Sequence, residues 1–191
     1  MPRLRFHPLA PERWAHFEAL FGSRGACGGC WCMWWRLPHS QFEQQKGEAN
    51  RQAMRALVES GAPTGLLAYD QGQAVGWCAV APREAYPRLQ RSRVLKPVDD
   101  QPVWSVTCFF VAKSHRGQGL TVELLRAAIR HVRDLGGRVV EGYPIQPRQG
   151  AIPAAFAFTG LASSFLQAGF VECARRSETR PMMRFPIRAA R

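Results

Sequence analysis

The sequence predicts an α/β domain on a mixed central sheet of about seven strands flanked by helices, and three observations carry that expectation. Val103–Val111 is a run rich in β-branched and aromatic residues, the pattern of a buried strand. Leu120, Leu124, Leu125, Ala128, Ile129, Val132 and Leu135 recur at helical spacing, and Gly136-Gly137 ends that helix. Arg138–Tyr143 follows as another strand, so the crossover is short and right-handed and its two strands run parallel.

The remaining elements follow in order. Residues 3–9 alternate polar and apolar, as a first strand does. Pro11 opens a helix with Trp14, Phe17, Leu20 and Phe21 on one face. Gly22–Pro38, rich in Gly, Cys and Trp, reads as a loop. Ser40 caps a single helix to about Ser60, with Phe42, Met54, Leu57 and Val58 inward and Gly61-Ala-Pro as its stop. Thr64–Tyr69 and Ala74–Val80 form a hairpin across Asp70-Gln-Gly-Gln. Ala81–Pro102 is a connection bearing Pro and Arg. A short helix around Leu161–Ala168 precedes two closing strands, Phe170–Arg175 and Arg180–Ile187. No repeat or second domain is visible, so residues 1–191 read as one domain.

With 46% hydrophobic and 21% charged residues, the composition is globular. No apolar run reaches membrane-spanning length, and Met1-Pro-Arg-Leu-Arg-Phe lacks the apolar stretch of a secretory signal, so the expected location is cytoplasmic. The net charge of +12 is almost wholly arginine and favours anionic partners. The arginines are scattered, however, which argues against a nucleic-acid face, and no membrane partner is expected. In that compartment the six cysteines are thiols rather than a disulfide framework.

The strongest local feature lies where strand meets helix, at Phe109-Phe110-Val111-Ala-Lys-Ser-His-Arg116-Gly117-Gln118-Gly119-Leu120-Thr121. A glycine-bearing turn that starts a helix points several N–H groups one way, and the helix dipole adds positive charge there. Gly117 and Gly119 keep Cβ atoms away from the backbone, and Arg116 adds a cation. This is a cradle for a pyrophosphate. It is neither a P-loop, since Gly-Lys-Ser/Thr is absent, nor a dinucleotide fingerprint, which needs a third glycine.

On these residues the chain resembles the GNAT superfamily of acetyl-CoA-dependent N-acetyltransferases, whose signature is Gln/Arg-x-x-Gly-x-Gly/Ala. Arg116-x-x-Gly119-x-Thr121 matches all but the last position, and Phe110-Val111 stands upstream as that family's strand end does. The resemblance implies that Val103–Val111 splays from Arg138–Tyr143 and that the pantetheine arm lies in the gap. It implies further that Phe109, Phe110 and Val111 lie beside the thioester, one backbone N–H holding its oxygen. Arg116, Gly117, Gln118, Gly119, Leu120 and Thr121 would take the phosphates.

Two family positions are altered. Thr107 stands where some members carry a Glu, and Phe165 where a Tyr often protonates the departing thiolate. Glu141 and Tyr143 are the substitute candidates for base and acid. Glu141 either sits buried and acts as a base or anchors an arginine; Tyr143 either donates a proton or covers the core edge. Ser163, Ser164, Cys108 and solvent are further options for the acid.

The segment Cys27-Gly-Gly-Cys30-Trp31-Cys32-Met33-Trp34-Trp35 invites a metal or redox reading, but a structural metal site needs four ligands and no second cysteine pair follows, so no metal is expected. In the family this connection lines the acceptor pocket. Trp31, Trp34 and Trp35, with Met33, would wall it, or pack the loop onto the core. Ile145–Gly160, with Phe156 and Phe158, is the expected opposite wall.

The leading expectation is direct transfer of acetyl from acetyl-CoA to a primary amine of a small molecule or protein; a homodimer is the default assembly. The alternative is a catalytically weak acyl-CoA-binding domain of the same fold.

Overall fold

The computed structural model describes residues 4–148 and 157–188. Seven strands form one sheet: β1 (Arg5–Pro8), β2 (Gly65–Asp70), β3 (Gln73–Pro82), β4 (Trp104–Val111), β5 (Val139–Gly142), β6 (Val171–Arg175) and β7 (Pro181–Pro186). Their spatial order is β1-β2-β3-β4-β5-β7-β6, and only β4 and β5 pair in parallel. The helices are α1 (Trp14–Phe21), α2 (His39–Gln44), α3 (Glu48–Glu59), α4 (Pro87–Gln90), α5 (Leu120–Asp134) and α6 (Ala162–Gln167). No helix among the described residues is long and apolar enough to cross a membrane.

Strand alternation assigns the two faces. Leu66 and Ala68 on β2 and Cys78 and Val80 on β3 pack with Leu124, Leu125, Ala128 and Val132 of α5. Their neighbours Leu67, Tyr69, Trp77 and Ala79 pack with Trp14, Phe17 and Phe21 of α1 and with Met54 and Val58 of α3. The apolar spacing read in the sequence is thus the packed face, except that Leu135, at the end of α5, is exposed.

Three differences from the sequence expectations have physical causes. The predicted helix over 40–60 is broken at Gly47, which adopts φ 89° and donates its N–H to the Gly29 carbonyl at 3.0 Å. Asn50 Nδ2 donates to the same oxygen at 3.1 Å. The break docks the Cys-Trp loop onto α3, a contact between segments distant in sequence. The Ala81–Pro102 connection contains a short 3-10 turn (Arg83–Ala85) and α4, because Tyr86, Leu89 and Leu95 are buried against Tyr143 and Met182. Finally, Cys108 pairs with Ala79 while Val106 pairs with Val80, so Thr107 is an extra residue in β4. Such a bulge bends the strand and raises its local twist.

The Gly29–Gly47 contact is close enough to test. A Cβ on Gly29 would lie 2.3 Å from the Gly47 nitrogen, and Gly29 has φ 70°. Gly29→Ala is expected to destabilise the fold by about 2 kcal/mol. Gly28→Ala, whose Cβ would meet nothing within 4 Å, carries the φ strain alone and should cost less. Chemical denaturation of both variants compares the two.

Candidate functional site

The parallel pair is short. Trp104, Ser105 and Val106 of β4 face Val140, Glu141 and Gly142 of β5, and pairing stops there. On one side the Thr107 bulge turns β4; on the other Pro144, which has no N–H, cannot extend the ladder. Phe165 fills the vertex: a Cβ on Gly142 would sit 2.1 Å from its ring, and its ring meets Phe109 edge-on at 6.1 Å. The residue at the family's tyrosine position is a core wedge with no exposed surface.

Beyond the vertex the strands diverge. The turn 158–161 crosses the gap, held by Ile145 N–H donating to the Gly160 carbonyl (2.9 Å) and Ala162 N–H to the Ile145 carbonyl (3.0 Å). The Phe109 N–H, one of the three β4 amides from which a donor to the thioester oxygen is expected, donates to the Phe158 carbonyl at 2.6 Å. Arg180 Nη1 donates to Thr159 Oγ1 at 3.1 Å and pins the turn. Arg116 Nε donates to the Val111 carbonyl at 3.0 Å. The free edge of β4 is therefore satisfied by the chain's own groups. This arrangement had no sequence signal, because it joins residues about fifty positions apart through main-chain atoms. Phe156 lies outside the described residues.

At the end of β4 the cradle is built as its composition indicates. A 3-10 turn (Lys113–His115) leads through exposed Arg116, Gly117, Gln118 and Gly119 to the start of α5. Gly117 and Gly119 have φ 72° and 78°, and a Cβ on either would meet nothing within 4 Å. Their glycine character serves the left-handed backbone, and the space in front of them is open. Among the described residues no backbone carbonyl accepts from the N–H groups of Gly117, Gln118, Gly119, Leu120 or Thr121. Gln118 Nε2 donates to the Ser114 carbonyl (2.8 Å), and His115 Nε2 meets Asp70 Oδ2 (3.1 Å), so the turn is braced from both sides. Amides without backbone acceptors at the first turn of a fifteen-residue helix carry its partial positive charge.

Glu141 and Tyr143 stand elsewhere. The Glu141 side chain is fully buried; Oε1 accepts from Arg83 Nη1 (2.8 Å) and from the Tyr143 hydroxyl (2.7 Å), and Oε2 accepts from Arg184 Nε (2.7 Å). Tyr143 also accepts from Arg83 Nη1 (2.6 Å) and meets Ser105 Oγ (2.7 Å). Burial, and then the Glu141 charge, push the Tyr143 hydroxyl well above the ordinary tyrosine range. The expected base and acid form a closed ionic knot that faces neither the cradle nor the apolar cavity. Of the alternatives weighed for Glu141, the geometry is that of an arginine anchor. The partners, Arg83 and Arg184, lie 58 and 43 residues away in sequence, too far for spacing to reveal them.

The Cys-Trp loop borders a cavity of about 430 Å³ lined by residues that include Phe21, Cys30, Cys32, Trp34, Phe42, Cys108, Phe109, Phe110 and Phe158. Trp34 is there as expected, with the Arg88 guanidinium 3.7 Å above its ring. Trp31 and Trp35 are not. Trp31 is buried and stacked against Phe21 and Trp14, and Trp35 packs beside Tyr86 and Leu89. For these two the structure corrects the pocket assignment to core packing. Phe21 and Phe42, read only as inward helix residues, line the cavity.

The loop turns sharply, Trp31 and Cys32 holding φ 45° and 62°. Cys32 Sγ accepts from the Trp77 indole at 3.2 Å, while the Cys108 thiol donates to the Phe109 carbonyl at 3.8 Å. The Cys108 contact, followed by the Trp77 contact and Arg36, draws the Cys32 thiol below its ordinary range against the opposing effect of burial. Burial, then the Cys32 charge, push Cys30 up to about 11. Among the described residues, no three of His, Cys, Asp and Glu converge as metal ligands.

The sequence model of the acetyltransferase (GNAT) family matches residues 31–155. No curated protein matches the chain in sequence. Solved structures share its fold. A GNAT-family acetyltransferase from Listeria monocytogenes superposes with TM-score 0.59 at 9% identity, over 96% of this chain and 95% of its own. The PaiA N-acetyltransferase from Thermoplasma acidophilum, in complex with coenzyme A, gives 0.54 at 12% identity, over 96% and 99%. YncA from Salmonella typhimurium, with acetyl-CoA, gives 0.51 at 13% identity, over 96% and 93%.

The ionic knot makes a clear prediction. Glu141→Gln leaves Arg83, buried with only 5% of its side chain exposed, without its counter-charge. The expected loss is about 3 kcal/mol of folding stability by denaturant titration, with coenzyme A affinity retained in the folded protein. A variant of wild-type stability that has lost acetyl transfer would instead return Glu141 to the role of base.

Proposed function

Because the chain belongs to the GNAT acetyltransferase family, we propose that it binds acetyl-CoA by its phosphates at Arg116–Thr121 and moves the acetyl group directly to a primary amine. One observation carries this reading: five successive backbone N–H groups, Gly117 to Thr121, have no backbone acceptor among the described residues, beside two glycines whose Cβ would meet nothing within 4 Å. The geometry fits a pyrophosphate by its donor set. Main-chain amides and the helix dipole attract the anion, and Arg116 can leave the Val111 carbonyl to join them.

The edge of β4 then carries the rest of the cofactor. Phe109, Phe110 and Val111 offer backbone groups along the diverging gap. The Phe109 N–H is the donor suited to a developing oxyanion once the Phe158 carbonyl gives way. A coenzyme A thiolate is a fair leaving group, so solvent can protonate it without the tyrosine that Phe165 replaces. The amine must arrive neutral, since the carboxylate in the described lining of the adjoining cavity, Glu43, is paired with Lys46.

The same hydrogen bond supports a second reading. A Phe109 N–H already satisfied at 2.6 Å, with Phe165 and Thr107 at the altered family positions, suits a domain that holds acyl-CoA and turns it over poorly. Titration with acetyl-CoA by calorimetry, followed by release of free thiol in the presence of amines, separates the two. Transfer requires both signals; a binding module gives only the first.

Gly119→Val is expected to weaken coenzyme A at least about tenfold, because valine resists φ 78° and its branched side chain enters the open face. Arg116→Ala should weaken it less, by a few-fold, since the main-chain donors remain. Unchanged affinity in Gly119→Val, with its fold intact by circular dichroism, refutes the cradle.

A further inference from the structure

The cavity beside β4 carries a statement about the acceptor. It touches Cys108, Phe109 and Phe110 of β4, so its inner end lies against the strand edge where the thioester is read to sit. A volume near 430 Å³ is that of a small-molecule pocket. Aromatic rings from four separate elements, Phe21, Phe42, Phe110 and Phe158, converge on it.

Its charge is as telling as its shape. The charged side chains in the described lining are Glu43 and Lys46, paired with each other at 2.5 Å. Both are more than two-fifths exposed, which puts them at the rim. The stretch 149–156 contains no acidic residue in sequence. Its other polar side-chain atoms are cysteine sulfurs and the Trp34 indole nitrogen, with Cys32 already accepting from Trp77. One face of Trp34 is already covered by the Arg88 guanidinium. A second ammonium group on an acceptor would find no counter-charge inside, and the net charge of +12 opposes polycations at a distance.

We infer that the acceptor is a primary monoamine with an aromatic or bulky apolar body, seated against Phe21, Phe42 and Phe110 with its nitrogen toward Cys108 and the β4 edge. This rests on the acetyl-transfer reading of the cleft and specifies it. Desolvation in such a cavity disfavours the ammonium form. The amine therefore arrives as the neutral nucleophile, which suits a cavity whose described carboxylate, Glu43, is paired with Lys46. Attack forms the N–C bond, breaks the C–S bond and leaves the amide and coenzyme A; the proton shed by nitrogen balances the one taken by sulfur.

Calorimetry on the intact protein with coenzyme A present tests this, using 2-phenylethylamine and spermidine as probes, with thiol release from acetyl-CoA as the second readout. The expected result is binding of 2-phenylethylamine at least about tenfold tighter than spermidine, with the same order in turnover. Cys30→Asp, which adds a carboxylate to the lining, is expected to narrow that gap by raising spermidine affinity. Equal or tighter binding of spermidine by the wild type, or no binding of 2-phenylethylamine, overturns the inference. Coenzyme A affinity is measured first in the same protein. Its absence defeats the acetyl-transfer reading, whereas its presence with the wrong amine order defeats only the acceptor class.

Discussion

Glu141 ties β5 to β7 and to the turn after β3 through one carboxylate. It sits on β5 opposite Ser105 of β4 and Arg184 of β7, and it takes Arg83 from the turn after β3. Arg184 continues outward to Asp99, at 2.6 and 3.0 Å, which ties down the long connection as well. A buried carboxylate between two guanidinium groups is tolerable only because each oxygen is paired. The knot closes the sheet at the point where β4 and β5 still touch, and the divergence beyond it is anchored there.

The proposed cofactor cleft lies on the open side of that anchor. The Thr107 bulge and Pro144 end the pairing, Phe165 holds the vertex apart, and the free edge of β4 is left for other partners. In this structure those partners are the Phe158 carbonyl and the Arg116 side chain. Both mimic what an extended amide-bearing ligand would supply, an acceptor for one N–H and a donor for one carbonyl. A strand edge buried without such bonds would carry the cost of unsatisfied polar groups, so stand-ins are expected wherever a ligand is displaced.

The cradle and the cavity divide the labour by polarity. The start of α5 presents amides and glycine to solvent, where an anion gains from the helix dipole. The cavity on the other side of β4 is aromatic and sulfur-lined, where charge is penalised. A residue that sequence logic placed between them as a base is instead sequestered in the sheet. The active chemistry, on this reading, relies on positioning and desolvation more than on a dedicated proton carrier.

Much of this was legible in the residues. Periodicity gave the seven strands, the long helix and the parallel pair, because apolar spacing follows directly from strand and helix geometry. The glycine turn into α5 was legible because its parts are consecutive: Arg116 to Thr121 form one turn whose properties are local. What the tertiary structure alone decided involves residues far apart in sequence. Glu141 finds its arginines, Gly47 breaks a helix to meet Gly29, Trp31 and Trp35 sink into the core while Phe21 and Phe42 line the cavity, and Phe158 reaches the Phe109 amide. Pattern within a segment records which face is apolar; which distant groups that face or edge meets is fixed only when the chain packs.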